Sequence, residues 1–178
     1  MTRFILAAYT FNQFVAPYQS PRIKGFRDRE PAAFAAIEDA PGFIARSGYD
    51  SEPGPASWGT QVFPKYWEDN GDGFAPSTLS LWETPEALMA TTFHGRHGEA
   101  YRKGSEWHAH PAPWPNYVLW WVNESHRPDW AEAVQRLEHL GDHGPTPKAF
   151  TFKALFNSSG GTSKADTALM RKLAASDG

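Results

Sequence analysis

The sequence contains no cysteine. That absence excludes disulfides, thiolate–zinc sites, iron–sulfur clusters and a cysteine nucleophile. It also lacks an excess of one charge: 17 basic against 20 acidic residues leave a net charge of −3. A balance of this kind argues against a broad electrostatic footprint for nucleic acid or anionic lipid. The apolar run near the N-terminus, Phe4–Phe11, is too short to span a bilayer and has no small-residue cleavage site behind it. We therefore expect a cytoplasmic protein with no nucleic-acid and no membrane partner. There is no Walker loop, GxGxxG, GxSxG, EF-hand or CxxC pattern, which removes the commonest nucleotide, dinucleotide and hydrolase readings.

What is abundant is aromatic. Phe, Trp and Tyr make up 15% of 178 residues, with eight Trp. A chain of this length fits one domain. The excess of rings has two readings: a large aromatic core, or an aromatic-walled ligand cavity.

Hydrophobic patterning predicts a first strand over 4–11, a helix within 22–39 that Pro31 divides, and a short strand over 43–47. Residues 48–76 are an irregular connection rich in Gly and Pro, with Trp58, Phe63, Tyr66 and Trp67 between them. A loop of that length in a small domain is a binding loop, a lid or a mobile segment. A strand over 78–83 leads through a Thr84-Pro85-Glu86 helix start into a helix predicted over 85–107. A strand over 116–122 follows. The next helix, 128–140, carries Trp130, Ala133, Val134, Leu137 and Leu140 at helical spacing, with Gly141 placed to terminate it. A last strand spans 149–156. Residues 157–178 read as a flexible tail with a weak helix over 165–174.

The order β-α-β-β-α-β is the split βαβ pattern of ferredoxin-like folds: an α+β domain over 1–156, its antiparallel sheet covered by helices on one face. An extra C-terminal helix and strand follow the pattern. The open face requires a cover, and the sheet of a second copy would supply it, so a homodimer is expected.

Chemistry-bearing residues gather in three places. On a helix over 85–107, His94, His97 and Tyr101 occupy positions i, i+3 and i+7 of one face, beside Met89, Phe93 and Ala100. His97 is then a hydrogen-bonded core group, a general acid or base, or a haem or metal ligand. His108-Ala109-His110, beside prolines, reads as a solvated loop. Trp120 and Trp121 must face opposite sides of their strand, and His126 stands between that strand and the next helix. In that helix Glu132 can pair with Arg136, and His139 and His143 suit the negative end of its dipole; these read as structural.

Leu119-Trp120-Trp121-Val122, His126-x-Pro128, Arg136-Leu137-x-x-Leu140 and His143-Gly144-Pro145-Thr146-Pro147-x-Ala149-Phe150-Thr151-Phe152 together resemble a bacterial family of unknown function. Pro41-Gly42-Phe43, Ser80-Leu81-Trp82-Glu83 and His97 extend the likeness, which runs from about residue 4 to 155. The chain departs from that pattern at Ala45, Asn123 and Ser125. That family is placed among the dimeric α+β barrel proteins, related in fold to antibiotic biosynthesis monooxygenases. The resemblance implies the ferredoxin-like barrel and the homodimer. It carries over His97, Trp120, Trp121 and His126 as matched site positions. With the residues read from spacing, His97 and His126 are the candidate catalytic residues, and His94, Tyr101, Trp82, Trp120 and Trp121 the candidate substrate contacts.

The function expected is a small-molecule enzyme that oxidises or rearranges an aromatic or polyketide-like metabolite without a cofactor or metal. One alternative is a haem protein with His97 or His94 as axial ligand. Another is a non-catalytic binding or stress-response module.

Overall fold

The apolar residues of 4–11 occupy both faces of an extended chain, and a strand of that composition belongs in the middle of a sheet. In the computed structural model, which describes residues 1–94, 98–99, 102–109 and 113–176, β1 (Phe4–Phe11) is central. It pairs antiparallel with β3 (Ser77–Trp82) on one side and β4 (Tyr117–Asn123) on the other; β2 (Phe43–Arg46) pairs antiparallel with β3. The spatial order β2-β3-β1-β4, with α1 (Lys24–Glu38) and α2 (Pro85–Phe93) as the two crossovers, is compatible with the ferredoxin-like fold. After β4 come α3 (Trp130–His143), the two-residue strands β5 (Leu155–Phe156) and β6 (Thr162–Ser163), and α4 (Thr167–Ser176). Among the described residues no helix is long and apolar enough to cross a membrane.

Strand parity divides the core in two. Ile5, Ala7, Tyr9 and Phe11 share one face with Leu79, Leu81, Val118, Trp120 and Val122. That face is covered by the apolar stripe of α3 and by Trp58, Phe63, Tyr66 and Trp67 of the long connection. On the opposite face Leu6, Ala8, Trp82 and Leu119 lie under Ala40, Ala87, Phe150 and Leu155, with Ile37, Leu88 and Leu173 packed at the margin. The cover expected from a second copy's sheet is therefore supplied within the chain, so the open-face ground for a dimer does not hold and the homodimer that the resemblance implies would need another surface. Residues 157–176, read from sequence as a tail, contribute Ala165 and Leu173 to this packing, and Asp166 N–H donates to Glu86 Oε1 at 2.8 Å.

The apolar stripe of α3 stabilises through burial, roughly 1.5–3 kcal/mol for each large side chain. Asp129 caps its start, accepting from Glu132 N–H at 2.8 Å. Gly141 does not end it. The helix continues to His143, and Gly144, at φ +72°, forms the cap. Gly141 is required for another reason: a Cβ there would overlap the Tyr66 hydroxyl. Beside that contact Lys65 Nζ meets Asp142 Oδ1 at 2.6 Å and Lys65 N–H donates to Glu138 Oε1 at 2.7 Å. The connection 48–76 is thus strapped along α3.

Four local expectations need correction. Pro31 does not divide α1, which runs unbroken from Lys24 to Glu38; its exposed ring costs the helix one backbone donor. The helix after Pro85 ends at Phe93, with His94 extended at φ −125°, ψ 166°. The chain turns so tightly there that a Cβ on Gly98 would strike the Phe93 carbonyl. Residues 149–156 do not form one strand: the Leu119–Phe150 bridge and two-residue β5 stand in its place. His108 is not a solvated loop residue. It bridges to Phe14 and lies against the Phe14 and Phe26 rings, with centroids 5.8 and 5.9 Å away.

Candidate functional site

The sequence candidates separate in space. Parity sends Trp120 to the α3 face and Trp121 to the α2 face. Trp82 joins Trp121 there, because Leu6 pairs with Trp82 on one side and Trp121 on the other. Both indoles are satisfied internally: Trp82 Nε1 donates to Ser80 Oγ at 2.9 Å, and Trp121 Nε1 to the Phe156 carbonyl at 2.7 Å. His94 is exposed at the end of α2. Its extended backbone takes it off the helical face on which the i, i+3, i+7 spacing had placed it. His97 and Tyr101 lie outside the described residues.

Trp120 and His126 are brought together, and Glu132 joins them. From sequence alone Glu132 reads only as a structural partner of Arg136. Asp129-x-x-Glu132 has capping-box spacing, so the helix start sets Glu132 in its first turn, where the dipole favours a carboxylate. The carboxylate turns inward. Oε1 accepts from Trp120 Nε1 at 3.1 Å and from an Arg136 Nη at 3.2 Å, while Oε2 meets His126 Nε2 at 2.6 Å. Arg136 is itself held by the Lys148 carbonyl at 2.9 Å, and its guanidinium lies 5.9 Å from the centre of the Trp120 ring. Asn123 Oδ1 accepts from Ser125 N–H, and His126 N–H donates to the Asn123 carbonyl at 2.8 Å, so a tight turn places the imidazole. Trp120 is fully buried, the Glu132 side chain 21% exposed and the His126 side chain 53% exposed.

This arrangement assigns the tautomer. A carboxylate only accepts, so Nε2 of His126 carries a proton, and in the neutral ring Nδ1 then presents the lone pair. Nδ1 makes no hydrogen bond among the described residues. An imidazole held by a carboxylate in this way can take a proton and keep the resulting cation paired. Beside it, Arg127 lies over Trp58 at 5.2 Å, and Trp58 accepts from Trp130 N–H at 3.2 Å.

Elsewhere the aromatic excess is core. Tyr49 stacks on Trp130 at 5.8 Å and Tyr66 on Trp114 at 5.5 Å. Burial pushes the Tyr9 and Tyr49 hydroxyls well above their ordinary pKa and lowers that of His108 to about 4. Among the described residues, His108 Nε2 is buried without a hydrogen-bond partner. Two depressions among the described residues are open. One, of about 450 Å³, is lined by Glu38, Phe43, Ala45, Arg46, Gly54 and Pro55; the other, of about 200 Å³, by Pro115, Asn116, Tyr117, Thr151 and Lys153. Among the described residues, neither is lined by a sequence candidate. Among the described residues no group of three His, Cys, Asp or Glu side chains could hold a metal ion.

The residues that meet at Glu132 all come from the segment that carries the family likeness. Residues 5–166 match the profile of a domain of unknown function, DUF3291. The chain belongs to the DUF3291 family. The DUF3291 match runs from β1 through β6 to Asp166, whose carboxylate accepts from Ala168 and Leu169 N–H at the start of α4. No curated protein and no solved structure matches the chain. Family membership assigns no ligand and no reaction, so the chemistry must be argued from the residues themselves.

Proposed function

We propose that this DUF3291 protein is a small-molecule enzyme in which His126 Nδ1 takes a proton from an acidic aromatic substrate, a phenol or an enolisable ring ketone. Glu132 holds the imidazole by Nε2 and stabilises the imidazolium as it forms. Trp120 and Arg136 occupy the other carboxylate oxygen, which keeps Oε2 directed at the histidine. Trp58, under the neighbouring Arg127, is the proposed aromatic wall. Once deprotonated, an electron-rich ring either rearranges or reduces dioxygen directly, and the reading requires no cofactor. The single observation that carries it is the 2.6 Å His126–Glu132 pair, with its carboxylate anchored in the core and its imidazole open to solvent.

The test is oxygen uptake and loss of absorbance with a hydroxylated anthrone as probe. Wild type should turn it over, and His126→Gln should lower the rate by ~10²-fold or more, the usual contribution of a positioned acid–base group. Equal turnover by wild type and His126→Gln would refute the assignment.

One observation favours a second reading. Trp82 and Trp120 are fully enclosed with their indole N–H groups satisfied inside the chain, as residues that only hold a fold would be. On that reading the protein is a non-catalytic module, and His126→Gln changes stability alone.

A further inference from the structure

A second pair of imidazoles is brought together away from the His126 network. His139 and His143 stand one turn apart at the end of α3, with ring centroids 4.5 Å apart and planes at 43°. Side chains at i and i+4 lie one above the other on a helix face. Two imidazoles so placed can turn a nitrogen each toward one point ~2 Å away, the length of a metal–imidazole bond. The surrounding charge is mixed. The C-terminal carbonyls of α3 carry the negative end of the helix dipole, and Asp142 acts electrostatically on both rings. Arg136 and Lys148 oppose a cation near His139. Arg136, however, is already engaged by Glu132 and the Lys148 carbonyl. His139 Nε2 lies 3.2 Å from Thr146 Oγ1, so an ion bound at that nitrogen must displace the hydroxyl. With no third protein ligand in a group among the described residues, water must complete the coordination.

These features select the ion. Two nitrogen ligands without thiolate suit Zn, Ni and Cu, and the divalent series binds Cu(II) most tightly. A tetragonal Cu(II) centre accepts two adjacent imidazoles and fills its remaining equatorial positions with water.

We propose that His139 and His143 form a surface chelate for a divalent transition-metal ion, Cu(II) in preference to Zn(II). The site stands apart from the acid–base reading of His126, and either can fail without the other. The experiment titrates Cu(II), and separately Zn(II), into the full chain at near-neutral pH in a non-coordinating buffer. Calorimetry gives affinity, and electron paramagnetic resonance reports the ligands of Cu(II). Wild type should bind one equivalent of Cu(II) with nitrogen coupling from two imidazoles, and Zn(II) more weakly. His143→Ala should weaken Cu(II) binding by at least ~10-fold, the lower end of what even outer-shell changes cost. His143 is exposed, so the variant should melt with wild type in the absence of metal. Unchanged Cu(II) affinity in His143→Ala, or a wild-type spectrum without coupling to two nitrogens, would overturn the proposal.

Discussion

Glu132 is the residue whose replacement separates structure from chemistry most cleanly. Its carboxylate takes three side-chain donors: a buried indole, a guanidinium and an imidazole. In Glu132→Ala, Trp120 Nε1 loses its acceptor beneath α3, which costs ~1–3 kcal/mol for a buried donor left unpaired. Loss of the part-exposed Arg136 pair adds up to ~1 kcal/mol, and the exposed His126 contact little. The total, ~1–4 kcal/mol, lowers the melting temperature of a domain of this size by ~2–16 °C. Glu132→Gln should behave differently. Its amide oxygen still accepts from Trp120 and Arg136, so stability falls by ~1 kcal/mol or less. The amide NH₂ then faces His126 Nε2, which must accept, and the ring proton moves to Nδ1. A base of the wrong tautomer cannot take the substrate's proton, so turnover of the anthrone probe should fall by ~10²–10⁴-fold. Denaturant titration and oxygen uptake on the same preparations give both numbers. If Glu132→Gln keeps full turnover, the dyad is not the acid–base machinery. If Glu132→Ala is as stable as wild type, the indole–carboxylate bond is not holding α3 to the sheet.

His108 predicts a pH dependence. Burial lowers its pKa from 6.5 to about 4, so the folded state resists protonation more than the unfolded chain does. The stability this contributes is fully present above pH ~6.5 and declines as pH falls toward ~4, by on the order of 3 kcal/mol; in denaturant titrations at pH 7 and 5, His108→Phe should lose less stability than wild type, and an equal loss would refute the assignment. Gly141→Ala gains ~1 kcal/mol of helix propensity but drives a methyl into the Tyr66 hydroxyl, whose ring is held against Trp114. A net loss of ~1–2 kcal/mol is expected by thermal denaturation, and a stabilised variant would mean that the strap over α3 yields freely. With both sheet faces covered inside the chain, light scattering at micromolar concentration should find particles near the chain mass of 19.9 kDa; a stable dimer would require a surface other than the sheet.

Much of the fold is legible because its periodicities are strong. β1, β4 and the apolar stripe of α3 appear where alternation and helical spacing put them, and the split βαβ order follows from their succession. The failures are places where a distant contact overrides a local rule. Gly141 reads as a stop signal, yet it is tolerated inside α3 because Tyr66, 75 positions earlier in the chain, needs the space. Pro31 reads as a helix boundary, yet α1 is already established before it and leaves the ring in solvent. The helix end at Phe93 sets Gly98 against the Phe93 carbonyl, a close approach with no signature in hydrophobic spacing. Nor could spacing show that α3 returns to the sheet face where a second copy was expected.

The site is harder to read because its hub is an ordinary residue in an ordinary position. Glu132 has the spacing of a capping-box acid and an i+4 partner in Arg136, and either role explains it without reference to Trp120 or His126. Parity requires Trp120 and Trp121 to face opposite ways but says nothing of which lies under α3. Only when β4 pairs with β1 in the register that sets Trp120 against Ala7 does the indole reach the first turn of the following helix. The carboxylate then acquires a donor from the core and another from the solvent side. That makes Glu132 a conduit between a rigid interior and an exposed imidazole. For the proposed base, that fixing sets the tautomer without a pocket closing over it, and it is this property, more than the count of aromatic rings, that gives His126 a role to test.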